Sequence, residues 1–346
     1  MKQLWKGNLA LAEGAIAGGL EAYFGYPITP QNEIPEYMSR RMREEDRIFL
    51  QAESEPASIN MVFGTALTGK KAMTTSSSPG ISLMQEGISY LAGCELPAVI
   101  ANIQRGGPGL GNIAGAQGDY FQSVKGGGHG DYYMPVYTPA TVEEMYTMTR
   151  DSFDTAVKFR TPVLILSDGV LGQMMEPAEI PPPPALSREI RDYGWNLTGT
   201  RKRKPRFIRS LMMDEGQLEE HNYKLRDKFR KMEELAEWEE KGTEDAEIIF
   251  IGYGTGSRIM HDAWSLLRSR GVRAGFFRLK TVWPFPGQRI AELSEKAKFL
   301  TVELSLGQLV EDVRLHSRND VGFCGRPAGG LPEIKVIIQE AERMLR

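Results

Sequence analysis

The chain has 346 residues, 42 basic and 45 acidic side chains, a formal net charge of −3 and 41% hydrophobic residues. That length exceeds the usual size of one core and predicts two domains, each with enough material to bury its own interior. The balanced charge lacks the electrostatic footprint of a nucleic-acid binder, so small molecules and proteins are the expected partners.

Two cysteines, Cys94 and Cys324, lie far apart and outside any CxxC pair. This chain alone therefore builds no disulfide framework, zinc site or iron–sulfur site, and the two thiols read as small buried hydrophobes. The opening MKQLWKGNLALAEGAIAGGL is apolar in one stretch, but Glu13 and repeated glycines interrupt it and no cleavage site follows. No run is long enough to span a membrane, and a cytoplasmic protein is the simplest expectation.

Up to about Glu176, the runs EAYFGYP, KKAMTTSS, LPAVIANIQR and TPVLILSDG end in turn residues. Segments with i, i+3, i+4 apolar spacing separate them, which predicts a parallel α/β sheet. Four polar clusters follow its strands, where open parallel sheets form their binding crevices. The first is GYPITP, residues 25–30. Pro27 and Pro30 bias Tyr26 and Thr29 toward extended backbone, so Thr29 either presents its hydroxyl from a rigid loop or caps a helix that starts near Pro30. In the second, QAESEPAS, Glu53 and Glu55 stand at a helix entrance. They either complement the helix dipole or, for Glu55 before Pro56 and the stripe of Ile59, Val62 and Phe63, provide a partly desolvated carboxylate able to hold a proton.

The third cluster, TTSSSPGISLMQEG at 74–87, includes Ser78 and opens a helix at Pro79-Gly80. It lacks the lysine and spacing of a P-loop but forms a wall of hydroxyls and amides. The fourth is the glycine-dense run from Arg105 to Asp131, containing Gln117, Asp119, Lys125 and His129. It reads as a binding loop or lid, with disorder as the alternative. Arg105, directly after an apolar strand, is placed to bind a carboxylate bidentately. His129 and Asp131 either line the site or only fold their loop.

Pro181 to Pro184 can be neither helix interior nor central strand and should run extended, ending the first domain. A basic cluster, GTRKRKPRF, reads as a solvated loop, and residues 215–241 as a long charged connector helix. From Ala246 the order β-α-β-α-β-α-β-α predicts a second, smaller doubly wound domain. Its GYGTGSR lacks GxGxxG spacing and a suitably placed acid, and reads as a tight βα turn.

Taken together, GYPITP, ESEPAS, TTSSSPGISLMQE, QRGGPGLGN, QGDYFQ, GGGHGDY, SDGVLGQMMEP, LKTVWPFP and LGQLVEDVR resemble the alpha-type subunit of 2-oxoacid:ferredoxin oxidoreductases. The resemblance covers nearly the whole chain except the connector. The glycine-rich run and the SDGVLGQMMEP ending are most similar to subunits of the 3-methyl-2-oxobutanoate (2-oxoisovalerate) enzymes. The family implies two doubly wound α/β domains: a thiamine-diphosphate pyrimidine-binding domain at 1–178 and a transketolase C-terminal-like domain at 246–346, joined by a connector at 179–245.

By the same resemblance, Glu55 matches the glutamate that hydrogen-bonds the aminopyrimidine ring and promotes removal of the thiazolium C2 proton. Thr29 and Arg105 match residues that hold the substrate carboxylate, and Ser78 joins Glu55 in binding the cofactor. The activity implied is oxidative decarboxylation of a 2-oxo acid with coenzyme A, electrons passing to ferredoxin. The chain lacks a GDG-to-NN segment for magnesium and diphosphate, and it lacks cluster-ligating cysteines. Thiamine diphosphate would thus be shared with a beta-type subunit, with Mg2+ and iron–sulfur clusters in partner chains, alongside gamma-type and ferredoxin-like delta-type subunits. Two further readings are a 2-oxoglutarate enzyme on the same scaffold and a non-catalytic assembly subunit; the retention of Thr29, Glu55 and Arg105 together argues against the second.

Overall fold

A computed structural model describes residues 2–187, 189, 191–199 and 203–346. In chain order, β1 (Gln3–Lys6) leads into α1 (Gly7–Ala17), β2 (Ala22–Gly25), α2 (Glu33–Glu44), β3 (Ile48–Gln51), α3 (Glu55–Leu67), β4 (Ala72–Ser76), α4 (Ser78–Gly93) and β5 (Ala98–Gln104). A glycine-rich loop carrying α5 (Tyr120–Val124) precedes β6 (Val136–Tyr137), α6 (Val142–Phe159), β7 (Pro162–Asp168), α7 (Gly169–Gln173) and β8 (Met175–Ala178). Then come α8 (Gln217–Met232), β9 (Trp238–Lys241), β10 (Ile248–Tyr253), α9 (Gly254–Ser269), β11 (Ala274–Leu279) and β12 (Thr281–Trp283). The chain closes with α10 (Gly287–Ser294), β13 (Lys298–Glu303), α11 (Leu309–His316), β14 (Val321–Gly325) and α12 (Ile334–Leu345).

The described residues form a seven-stranded sheet in the order β12-β6-β7-β5-β4-β2-β3 and a five-stranded sheet in the order β14-β13-β10-β11-β9. Pairing is parallel except at β12 and β9, each an antiparallel edge strand. The central strands AVIANIQ and PVLILSD are buried throughout, as expected for strands covered on both faces. One face of the larger sheet packs on Leu11, Ile34, Met38, Met145 and Phe153 of α1, α2 and α6. The other packs on Ile59, Val62, Ile81, Met84 and Ile88 of α3 and α4. Each such fully buried side chain contributes about 1.5–3 kcal/mol, so these two layers fix the sheet and, with it, the loops at its strand ends. No helix among the described residues is long and apolar enough to cross a membrane.

Three features differ from the sequence expectations. The helix predicted over 215–241 ends at Met232, and Trp238–Lys241 instead forms the edge strand β9. Its charges suit a strand because each is paired: Glu239 accepts from Arg278 at 2.9 Å, Glu240 takes Arg289 at 2.8 Å, and Trp238 stacks on Phe277. Second, β12 leaves the C-terminal unit to extend the larger sheet through β6. Third, β1 and β8 form an antiparallel ribbon, where the sequence showed only an interrupted apolar stretch. Residues 181–184 carry neither helix nor strand. The basic run 199–207 lies partly outside the described residues; of the part described, Arg206 pairs with Asp192 at 2.6 Å.

Candidate active site

The four strands β3, β2, β4 and β5 are neighbours in that order, and their exit loops carry Glu55, Thr29, Ser78 and Arg105 respectively. The sheet order therefore gathers residues up to 76 positions apart in sequence, as in the Arg105 to Thr29 contact.

Glu55 is the first residue of α3. Ser54 caps that helix, its hydroxyl accepting from the Ala57 amide at 3.3 Å, and Pro56 occupies the first turn. The helix thereby turns the Glu55 carboxylate inward, where the residue is only 6% exposed. A Cβ at Gly80 would collide with the Ser76 hydroxyl and stand 2.6 Å from Glu55 Oε1, so glycine there leaves room for both groups at the start of α4. Within the described residues no hydrogen bond reaches the Glu55 carboxylate. The hydroxyls of Thr74 and Ser76, two residues apart and hence on one face of β4, are buried without partners. Opposite Ser76 on β5 sits Asn102, whose Oδ1 also lacks a partner while its Nδ2 donates to Asp119 at 2.8 Å.

A buried polar atom left unpaired costs about 1–3 kcal/mol, and these three, together with the Glu55 carboxylate, form a cradle that suits a polar occupant. The mixture suits a flat heterocycle with both donors and acceptors on its edge. Asn102 was not singled out from the sequence, whereas Thr74 and Ser76 lay within the wall of hydroxyls without being named individually. The signal for Thr74 and Ser76 was the alternation in TTSS, which places every second hydroxyl on the same face.

Ser78 is engaged within the chain: its hydroxyl accepts from the Arg105 amide at 3.0 Å and donates to the Arg105 carbonyl at 3.3 Å. Burial raises the Asp119 carboxyl, against the lowering effect of Ser78 and Asn102. Arg105 donates from Nη1 to the Thr29 carbonyl at 2.9 Å and from Nη2 to the Leu110 carbonyl at 3.0 Å, while its Nε is buried with no partner. Thr29 is half-buried and accepts a 3.3 Å bond from Asn32. It does not cap α2, which begins at Glu33 after Asn32.

The glycine-rich run is neither a free lid nor disordered; it is the seam between the two units. Gln117 makes three bonds across it: its amide to the Leu304 carbonyl at 2.8 Å, Nε2 to the Tyr253 carbonyl at 2.9 Å, and Oε1 from the Leu304 amide at 2.9 Å. Tyr120 donates to Asp312 at 2.6 Å and Lys125 pairs with the same carboxylate. Asp168 caps α7 and accepts from Thr255 at 2.9 Å, placing a protein carboxylate at the start of α9, where GYGTGSR makes its turn. His129 lends only its carbonyl, to Ser89, and Asp131 takes a left-handed backbone at φ 56°. Among the described residues, no group of three or more His, Cys, Asp or Glu is arranged to hold a metal ion.

Residues 13–244 match the thiamine-diphosphate-binding family of pyruvate flavodoxin/ferredoxin oxidoreductases, and residues 246–337 match core domain II of pyruvate:ferredoxin oxidoreductase. The ketoisovalerate oxidoreductase subunit VorB of Methanothermobacter thermautotrophicus is 46% identical, over 98% of this chain and 96% of that one. The 2-oxoglutarate synthase subunit KorA of Archaeoglobus fulgidus is 36% identical, over 90% of each. Among solved structures, 2-oxoglutarate:ferredoxin oxidoreductase from Magnetococcus marinus, with 2-oxoglutarate, coenzyme A and succinyl-CoA bound, superposes with a TM-score of 0.88 at 27% identity, covering 100% of this chain and 65% of that chain. The chain belongs to the pyruvate flavodoxin/ferredoxin oxidoreductase family, as an alpha-type subunit of a 2-oxoacid:ferredoxin oxidoreductase.

Proposed function

We propose that this subunit serves the oxidative decarboxylation of 3-methyl-2-oxobutanoate with coenzyme A to an acyl-CoA and carbon dioxide, electrons passing to ferredoxin. The observation that carries the site is the buried, unpartnered Glu55 carboxylate facing the Ser76 hydroxyl across Gly80. The choice of 2-oxo acid rests on 46% identity to a ketoisovalerate subunit against 36% to a 2-oxoglutarate subunit.

In this reading Glu55 would hydrogen-bond the aminopyrimidine ring nitrogen of thiamine diphosphate, and Thr74, Ser76 and Asn102 would offer the ring further polar contacts. Ser78 belongs to the same wall, its hydroxyl donating to the Arg105 carbonyl until a cofactor competes for it. When bound, the cofactor supplies an electron sink for decarboxylation. Arg105 and Thr29 orient the substrate carboxylate. The unpartnered Nε and its neighbouring Nη form one edge of the guanidinium fork, suited to a bidentate carboxylate, and the Leu110 carbonyl now occupies part of that edge.

The domain division at 178 and 245 and a cytoplasmic location are part of the proposal. A beta-type subunit would grip the diphosphate through Mg2+, with gamma-type and ferredoxin-like delta-type subunits completing the enzyme. Two cysteines are too few for a cluster of the four-cysteine kind, which supports placing the iron–sulfur centres in partner chains. The test is turnover of the purified complex with 3-methyl-2-oxobutanoate, 2-oxoglutarate, pyruvate and indolepyruvate, using a viologen acceptor. The highest kcat/KM is expected for 3-methyl-2-oxobutanoate; a preference for 2-oxoglutarate would replace the substrate assignment.

A further inference from the structure

We infer that Gln173, with Asn8 behind it, is a positioning residue for the 2-oxo acid: their two side-chain amides hold the Pro30 carbonyl and thereby fix Thr29 at the substrate carboxylate. This inference rests on the functional reading above.

Proline has no amide hydrogen, so the backbone of Pro30 can be held only through its carbonyl. Both lone pairs of that oxygen are filled, by Gln173 Nε2 at 2.7 Å and by Asn8 Nδ2 at 3.0 Å. Glu33 braces the same two amides, its Oε2 accepting from Asn8 at 3.1 Å and from Gln173 at 3.3 Å, while Lys6 pairs with its Oε1. On the other side of the Thr29–Pro30 peptide, Arg105 holds the Thr29 carbonyl at 2.9 Å. The carbonyls of both residues are thus pinned from opposite sides, and Thr29 has little freedom left.

The packing is shaped to permit this. A Cβ at Gly172 would stand 2.5 Å from Asn8 Oδ1, and one at Gly169 2.9 Å from the Pro30 ring, so α7 approaches both as bare backbone. Asp168 caps α7 and also accepts from Thr255, linking the C-terminal unit to the Thr29 loop through Gln173. Gln173 itself is exposed. An exposed glutamine usually keeps its rotamers free; here its amide is ordered on the Pro30 carbonyl and on the Glu33 carboxylate that braces it.

The test uses the purified complex carrying Gln173→Met, which removes the donor at similar size, or Gln173→Glu, which also sets a carboxylate against the Pro30 carbonyl and Glu33. With 3-methyl-2-oxobutanoate and a viologen acceptor, KM should rise about tenfold for Gln173→Met and further for Gln173→Glu, with kcat within about twofold. Exchange of the thiamine diphosphate C2 proton, measured without 2-oxo acid, should keep its wild-type rate, as should the thermal midpoint keep its value. Unchanged KM in both variants would overturn the inference. So would a loss spread over kcat, C2-proton exchange and thermal midpoint, which would make Gln173 a merely structural prop. If the wild-type complex turns over none of the four 2-oxo acids, the functional reading fails and takes this inference with it; wild-type turnover with an unmoved KM in the variants removes this inference alone.

Discussion

The strand exits of the larger sheet and the seam between the two units are both buried and polar, and both are assembled from residues far apart in sequence. They differ in how completely their hydrogen bonds are made. At the seam, Gln117 uses its side-chain donor and acceptor on backbone groups of the C-terminal unit, and Asp312 takes both Tyr120 and Lys125. At the strand exits, Thr74, Ser76, Asn102 and Arg105 each leave a buried atom unpaired beside an unpartnered Glu55. Satisfied buried polar groups favour the folded state, whereas unsatisfied ones lower stability and persist where a ligand completes them. The seam holds the two units together, and in the proposed reading the strand exits receive cofactor and substrate.

Substitutions should separate the two regions, and the largest effect belongs to the strand exits. In the reconstituted complex, Glu55→Gln should slow both decarboxylation and cofactor C2-proton exchange by about two orders of magnitude or more while leaving the thermal midpoint near that of the wild type. Unchanged exchange would remove Glu55 from the chemistry. At the seam the order reverses. Asp168→Ala strips the cap of α7 and the Thr255 bond and should lower stability by about 3 kcal/mol, read by thermal or urea unfolding. A stability equal to the wild type would mean that the seam does not depend on this carboxylate.

Arg105→Lys exchanges a fork for a point charge and cannot hold the Thr29 and Leu110 carbonyls together, so KM for the oxo acid should rise about tenfold; equal kinetics would discredit the carboxylate role. Ser76→Ala deletes a hydroxyl that the folded chain does not use. It should be neutral or stabilising by up to about 1 kcal/mol in the protein stripped of cofactor, yet weaken thiamine diphosphate binding. A marked loss of stability would place Ser76 with the seam instead.

The smallest effect is a pH dependence. Burial raises the Asp168 carboxyl, against the opposing pull of Thr255 and the Leu171 and Val170 amides. A native carboxyl that holds its proton more tightly than the unfolded one, whose pKa is about 3.9, adds stability below that value and loses it as pH rises through the native value. The thermal midpoint of the wild type, relative to Asp168→Asn, should therefore decline as pH rises from about 4. Parallel curves would show that Asp168 titrates alike in both states.

Much of this was legible in the sequence where the signal was local. The buried runs of β5 and β7 and the helix start at Pro56 announce strand and helix within a few residues of themselves, and the motifs carrying Thr29, Glu55 and Arg105 mark the candidate site in the same local way. What stayed hidden depended on distant partners. Gln117 reads as a functional side chain in a glycine-rich loop, and only its contacts with Tyr253 and Leu304, 136 and 187 residues away, make it a strut. The run WEEK looks like the continuation of a charged helix until Arg278 and Arg289 neutralise its acids on a sheet edge. Gln173 lay unnoticed inside a quoted motif because its partner, the Pro30 carbonyl, is a backbone atom 143 residues earlier.

The most direct test is the structure of the complete assembly with thiamine diphosphate bound. The account predicts the Glu55 carboxylate within hydrogen-bonding reach, about 2.6–2.9 Å, of the aminopyrimidine ring nitrogen, with the diphosphate held by a neighbouring chain. A Glu55 side chain turned toward water and remote from the coenzyme would contradict it.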